Sequence, residues 1–217
     1  MDQIDVGVIG AGAQANLVHY PSLAEIPYAN IAAICDLDEE RLNKTADKYG
    51  VKLRFKDYKR MLDEVDLDAV YIIMAPQLLD PIVTYCLRKK KNVFIEKPAG
   101  ISVEQNRRWA EEAKANGCIT MVGYNRRFIP VVMEAKRIVE ESGPITQCMV
   151  TFHKCTPEAI RMRKIKREPG TIGPYMGDVC HAIDLLRWAG GDVKEIFSYV
   201  SKHYSAETNT YNALLLF

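Results

Sequence analysis

The residues here whose types could do chemistry together are a lysine closing a short apolar run and a glycine-rich loop far upstream. The first is Val93-Phe94-Ile95-Glu96-Lys97-Pro98, the second Ile9-Gly10-Ala11-Gly12-Ala13-Gln14-Ala15. Lys97 ends a run with the composition of a buried strand, and open α/β sheets form their ligand crevice at the carboxyl ends of strands. Pro98 disfavours helical backbone at Lys97 and so directs its exit. Most lysines at strand ends are solvated surface groups; the apolar run leading into this one argues for proton transfer. A lysine acting as a base near neutral pH must titrate about 3 units below an exposed one, a differential of about 4 kcal/mol.

Gly10, Gly12 and Ala15, with Ala13 and Gln14 between them, match G-x-G-x-x-A. The first glycine permits a tight turn, the second admits a pyrophosphate to the backbone, and the small third residue lets helix and strand pack closely. The loop follows a strand-like run and opens a helix, whose N-terminal N–H groups favour phosphate. Asp36 ends the next strand-like run, 21 residues past Ala15, near the spacing expected of a carboxylate on the adenosine ribose. A carboxylate there accepts from ribose hydroxyls and repels a 2′-phosphate, so NAD is expected. Arg41, one turn on, leaves NADP open. A dinucleotide cradle plus Lys97 reads as a nicotinamide-dependent oxidoreductase.

Asp178, His181 and Asp184 recur every third residue on an apolar stretch, so they share nearly one helical face. A polar stripe beside Leu185, Leu186 and Trp188 suits a helix whose edge lines a cavity; a satisfied core histidine is the plainer reading. H-x-x-D can chelate, but no further His or Cys completes a ligand set, and no metal is expected. Five cations in Arg161–Arg167 read first as a solvated loop and second as a contact for an anionic substrate.

These residues need elements to hold them. Ile4–Ile9, Ile31–Cys35, Ala69–Met74, Val93–Ile95 and Ile119–Val122 are short apolar runs suited to strands buried on both faces. Asp38 caps a helix through Ala46 that stops at Gly50. Ser102-Val103-Glu104-Gln105 is a capping box for a helix ending at Asn116-Gly117. This alternation predicts a doubly wound parallel α/β sheet over residues 1–124. Residues 125–217 read as a second, α+β domain. It comprises a helix over Phe128–Glu141, a strand over Ile145–His153, a charged stretch over 154–173, a helix over Tyr175–Ala189, and strands over Glu195–Ser201 and Thr210–Phe217.

With 29 basic and 28 acidic residues the formal net charge is +1, which gives no electrostatic basis for nucleic-acid or anionic-membrane binding. No uninterrupted apolar window approaches a membrane span. An acidic N-terminus and six scattered cysteines without C-x-x-C point to reduced thiols in the cytoplasm.

Taken in order, the landmarks resemble the Gfo/Idh/MocA family of glucose–fructose oxidoreductase and inositol dehydrogenase. The matching pieces are Gly10–Ala15, Ala75-Pro76, Val93–Ala99, Val122-Gly123-Tyr124-Asn125-Arg126-Arg127-Phe128 and Cys180–Leu186. The resemblance implies a Rossmann domain followed by an α+β domain with an open, mostly antiparallel sheet. It also implies a nicotinamide cofactor contacted by Ala75, Pro76, Gln77, Glu96 and Lys97 besides the glycine loop, and a sugar, cyclitol or related polyol as substrate. The family's catalytic lysine falls on Lys97 and its substrate histidine on His181, with Asp178, Asp184 and Arg126 beside the substrate. The chain departs from the family pattern at Gln77, at Asp80 in a histidine position, and at Gly177 with Asp178 instead. A dinucleotide-binding sensor of the same fold is therefore the alternative to an enzyme. The apolar run Ala213–Phe217 implies neighbouring strands, so an incomplete second domain or a homo-oligomer is expected.

Overall fold

A computed structural model describes residues 3–153, 174–203 and 210–217. The chain divides into two compact units, Met1–Gly123 and Tyr124–Phe217.

The first unit is a six-stranded parallel sheet. Its strands are β1 (Ile4–Ile9), β2 (Ala29–Cys35), β3 (Leu53–Phe55), β4 (Ala69–Ile72), β5 (Asn92–Ile95) and β6 (Thr120–Val122), in the order β3-β2-β1-β4-β5-β6. This is the doubly wound order, whose reversal of direction falls between β1 and β4. Val6, Val8 and Ile34 pack on one face with Tyr20, Leu23 and Leu42. Ile9, Val70 and Ile72 pack on the other with Leu79, Ile82, Cys86 and Trp109. Burial on both faces explains why the central strands are nearly continuous apolar runs. β6 is an edge strand, and Ile119 just before it and Met121 within it are 74% and 46% exposed.

Helices close each crossover. The chain after the glycine loop is helical from residue 13, widens to a π-helix over Ala15–His19, and continues as α1 (Tyr20–Ala24). Pro21 sits in that helix without an N–H to donate, and the adjoining Tyr20 N–H reaches back to Ala15 in a π-type bond. A widened turn next to a proline is a recognised way for a helix to absorb it. Asp38 caps α2 (Glu39–Tyr49), accepting from the Arg41 N–H at 3.0 Å, and Gly50 ends it with left-handed backbone. Ser102 caps α5 (Val103–Asn116), accepting from the Gln105 N–H at 3.1 Å. Between these lie α3 (Tyr58–Glu64) and α4 (Leu79–Arg88), which with β3 have no counterpart in the sequence expectations.

The second unit contains a short 3₁₀ turn over Asn125–Phe128, α6 (Pro130–Ser142) and α7 (Pro174–Gly190). An antiparallel pair, β7 (Glu195–Ser201) and β8 (Thr210–Leu216), completes it. The strand expected over Ile145–His153 is absent: those residues carry no regular structure and pair with no strand among the described residues. Alternating apolarity alone does not make a strand; its backbone needs a ladder partner. The basic run at 161–167 lies outside the described residues. Among those described, no helix is long and apolar enough to cross a membrane, and the five described cysteines are free thiols.

Candidate active site

All the sequence-predicted groups of the first unit emerge at the carboxyl ends of its strands. Gly10 follows β1, Asp36 follows β2, Ala75-Pro76-Gln77 follow β4, and Glu96-Lys97 follow β5. Gly10 has φ of +108°, and a Cβ there would lie 2.4 Å from the Ile73 carbonyl oxygen. Only glycine permits both that conformation and that approach. A Cβ at Gly12 would meet nothing within 4 Å, so the loop presents bare backbone to open space where a pyrophosphate can enter. Asn16, unremarked in the sequence, buttresses the loop: its Nδ2 donates to the Ala11 carbonyl at 2.9 Å and to Thr45 Oγ1 at 3.0 Å.

The Asp36 side chain is only 8% exposed. Its Oδ2 accepts from the Ala11 N–H at 2.7 Å, and its Oδ1 from the Asp38 N–H at 2.8 Å and Arg41 Nη2 at 3.2 Å. A carboxylate has roughly four acceptor positions, so three donors leave capacity for a ribose hydroxyl. Arg41 therefore leans on Asp36 instead of standing apart as a phosphate ligand. The donors, the bare loop and the carboxylate fit a dinucleotide.

Across the reversal point, Ala75 opens the 3₁₀ turn Pro76–Leu78, its carbonyl accepting from the Leu78 N–H at 2.9 Å. Asp80 is bound into the scaffold. It pairs with Arg108 and accepts from Trp109 Nε1 at 3.0 Å. Burial pushes its carboxyl up, but the bonds from Arg108 and Trp109 outweigh that and hold it below the ordinary value.

At the end of β5, Glu96 Oε2 accepts from the Lys97 backbone N–H at 2.8 Å while Oε1 meets His19 Nε2 at 2.8 Å. His19 and Glu96 side chains are 9% and 13% exposed. The His19 ring stands edge-on to Phe94 and Tyr71, which stack on each other with centroids 4.4 Å apart. Burial raises the Glu96 carboxyl, yet His19, the Lys97 N–H and the Lys97 charge together bring it below the ordinary value. The Lys97–Pro98 peptide is cis. Lys97 itself is half-buried.

In the second unit, α7 carries Asp178, His181 and Asp184, the last two buried. Arg127 donates through Nε to Asp184 Oδ2 at 2.7 Å and through Nη2 to Oδ1. This fork pins α7 to the turn after β6. Tyr124 packs edge-on against His181, centroids 6.2 Å apart, and burial pushes its phenol up to about 12. Arg126 lies 4.9 Å over the Phe152 ring. The sequence drew attention to Arg126; Arg127 is the arginine that engages the stripe. Among the described residues, no three His, Cys, Asp or Glu side chains assemble as metal ligands.

The fold and the loop define an NAD-binding, doubly wound domain. A model of the Gfo/Idh/MocA family, described as an oxidoreductase family with an NAD-binding Rossmann fold, matches residues 4–124, and the chain belongs to that family. It is 29% identical over 196 residues to the myo-inositol 2-dehydrogenase of Thermotoga maritima, covering 89% of this chain and 57% of that protein. Among solved structures, a probable dehydrogenase from T. maritima is 28% identical with a TM-score of 0.79, covering 98% of this chain and 65% of that one. The Lactobacillus casei scyllo-inositol dehydrogenase with bound NAD(H) and scyllo-inositol shares the fold: TM-score 0.81, 21% identity, and 99% and 66% of the two chains covered. The chain spans a little over half the length of the curated relatives that it matches over most of its own length.

Proposed function

We propose that the protein is an NAD-dependent dehydrogenase acting on a secondary CH–OH of a cyclitol or sugar-like polyol, in a reducing compartment. The observation that carries this reading is Lys97, delivered by β5 to the ligand end of the sheet with Glu96 fixed beside it. The inositol dehydrogenases among its relatives support the substrate class. Bound NAD supplies the hydride acceptor. Gly10, Gly12, Ala13, Gln14 and Ala15 hold its phosphates, Asp36 its ribose, and Ala75, Pro76 and Gln77 line the far side of the crevice. Lys97 takes the hydroxyl proton as the carbon is oxidised. In the second unit, we assign the binding of substrate hydroxyls to His181, Asp178 and Arg126. Asp184, held by Arg127, fixes the helix that carries His181.

The test is nicotinamide absorbance over a cyclitol and sugar panel with the wild type and Lys97→Met. We expect at least a 100-fold loss in the variant, in the range general-base removal gives. A fully active variant would remove Lys97 from the chemistry. Asp80, committed to Arg108 and Trp109, keeps the sensor reading in view. Tight NADH binding with no turnover across the panel would favour that reading.

A further inference from the structure

We infer that His19, on the helix that leaves the glycine loop, is a positioning residue for Lys97, acting through Glu96. This rests on the reading of Lys97 as the proton-transfer group. The chain of contacts is short. His19 Nε2 meets Glu96 Oε1 at 2.8 Å, and Glu96 Oε2 accepts the Lys97 backbone N–H at 2.8 Å. A carboxylate held on one oxygen only can rotate about its last torsion, a broad and soft one. Held on both oxygens, it becomes a rigid bracket. Its outer arm is the backbone of the residue whose ammonium must be placed.

The surroundings make the bracket stiff. Phe94 and Tyr71 wall the His19 ring edge-on. On the other side Gly123 lies close enough that a Cβ there would make ordinary contact, 3.7 Å, with Glu96 Cδ. The titratable groups facing Glu96 are His19 and Lys97. His19 lies four residues past Ala15, so the segment that cradles the phosphates and the segment that carries Lys97 share one bond. A buried histidine with no other task in the cofactor loop is thereby given one. Small displacements matter because proton transfer needs hydrogen-bond contact with the reacting hydroxyl.

The experiment compares His19→Leu, His19→Gln and His19→Asn in the full 217-residue chain. Gln carries an amide donor at about the reach of Nε2, whereas Asn is polar but too short. It therefore serves as a second lesion should the leucine variant not fold. The first readout is hydrogen exchange of the Lys97 backbone amide, which is independent of turnover. It should quicken at least tenfold in the Leu and Asn variants and return toward wild type in Gln. The second is steady-state kinetics beside NADH affinity. Turnover, kcat, should fall at least tenfold in Leu and Asn while the NADH Kd moves less than threefold, with Gln restoring kcat. Unchanged Lys97 amide exchange in the Leu and Asn variants overturns the inference. So does quickened exchange with unaltered kcat when Lys97→Met is inactive. Should Lys97→Met prove fully active, the base reading falls separately, and the amide exchange still decides whether His19 holds this segment.

Discussion

Asp36 and Glu96 are both partly buried carboxylates at strand ends, yet their partners give them different work. The oxygens of Asp36 are met by two backbone N–H groups and an arginine, which leaves room for one more donor. Asp36→Asn keeps an acceptor for the Ala11 N–H while removing the charge that would repel a 2′-phosphate. We expect the NADH Kd to rise about tenfold, equivalent to about 1.4 kcal/mol, and the NADH-over-NADPH preference to narrow. Fluorescence titration of both cofactors checks this; an unchanged ratio would show that Asp36 does not set the choice. Glu96 makes a prediction about pH. Its folded carboxyl titrates below the ordinary 4.5, so the stability that it contributes is fully present above about pH 4.5. That contribution is lost as pH falls through the folded value. The stability gap between wild type and Glu96→Gln should thus be level above about pH 5 and close on further acidification. A gap that widens in acid would reverse the sign. Gly10, Gly12, Asp36 and Lys97 were legible because each lies in a short local pattern. The bonds of His19, of Asn16 to Thr45 and of Arg127 were not, since those partners lie 77, 29 and 57 residues away and nothing local announces them.

At the scale of elements, legibility followed burial and punctuation. β1, β2, β4 and β5 are apolar because both faces of the sheet are covered, and α2 and α5 carry caps at both ends. β3 is three residues long with Arg54 at its centre, too short for a pattern to form. α4 carries Pro81, which reads as a breaker. In the first turn, though, the missing N–H has no intrahelical partner to lose. Ile145–His153 shows the opposite error: alternation was present and a pairing partner was not. The caps are testable. Ser102 accepts the Gln105 N–H, and Gln105 Oε1 accepts the Ile101 N–H at 2.8 Å, a reciprocal pair that starts α5. Ser102→Ala should cost about 1 kcal/mol, read as a lower urea midpoint. A midpoint within error of wild type would mean that water replaces the cap at no cost.

At the scale of the whole molecule, the β7–β8 pair is the part least able to stand alone. In its register Phe197 lies opposite Leu214, so Phe197, Tyr199, Leu214 and Leu216 share one face, exposed at 64%, 70%, 72% and 54%. Ile196, Val200 and Tyr211 lie on the other, exposed at 60%, 52% and 39%. Both faces are therefore apolar and open, and a two-stranded sheet is at best marginally stable in water without something packed on it. Exposed apolar surface of this kind drives association. We expect light scattering to give a mass above the 24.6 kDa of one chain. Phe197→Lys combined with Leu214→Glu keeps the cross-strand pair complementary in charge while removing apolar area from one face. That double variant should shift the population toward the single-chain mass. NADH affinity should be unaffected, because the cofactor loop belongs to the other unit. A wild-type chain that stays soluble and monomeric at high concentration would show that these faces tolerate water, and the expected association would be wrong.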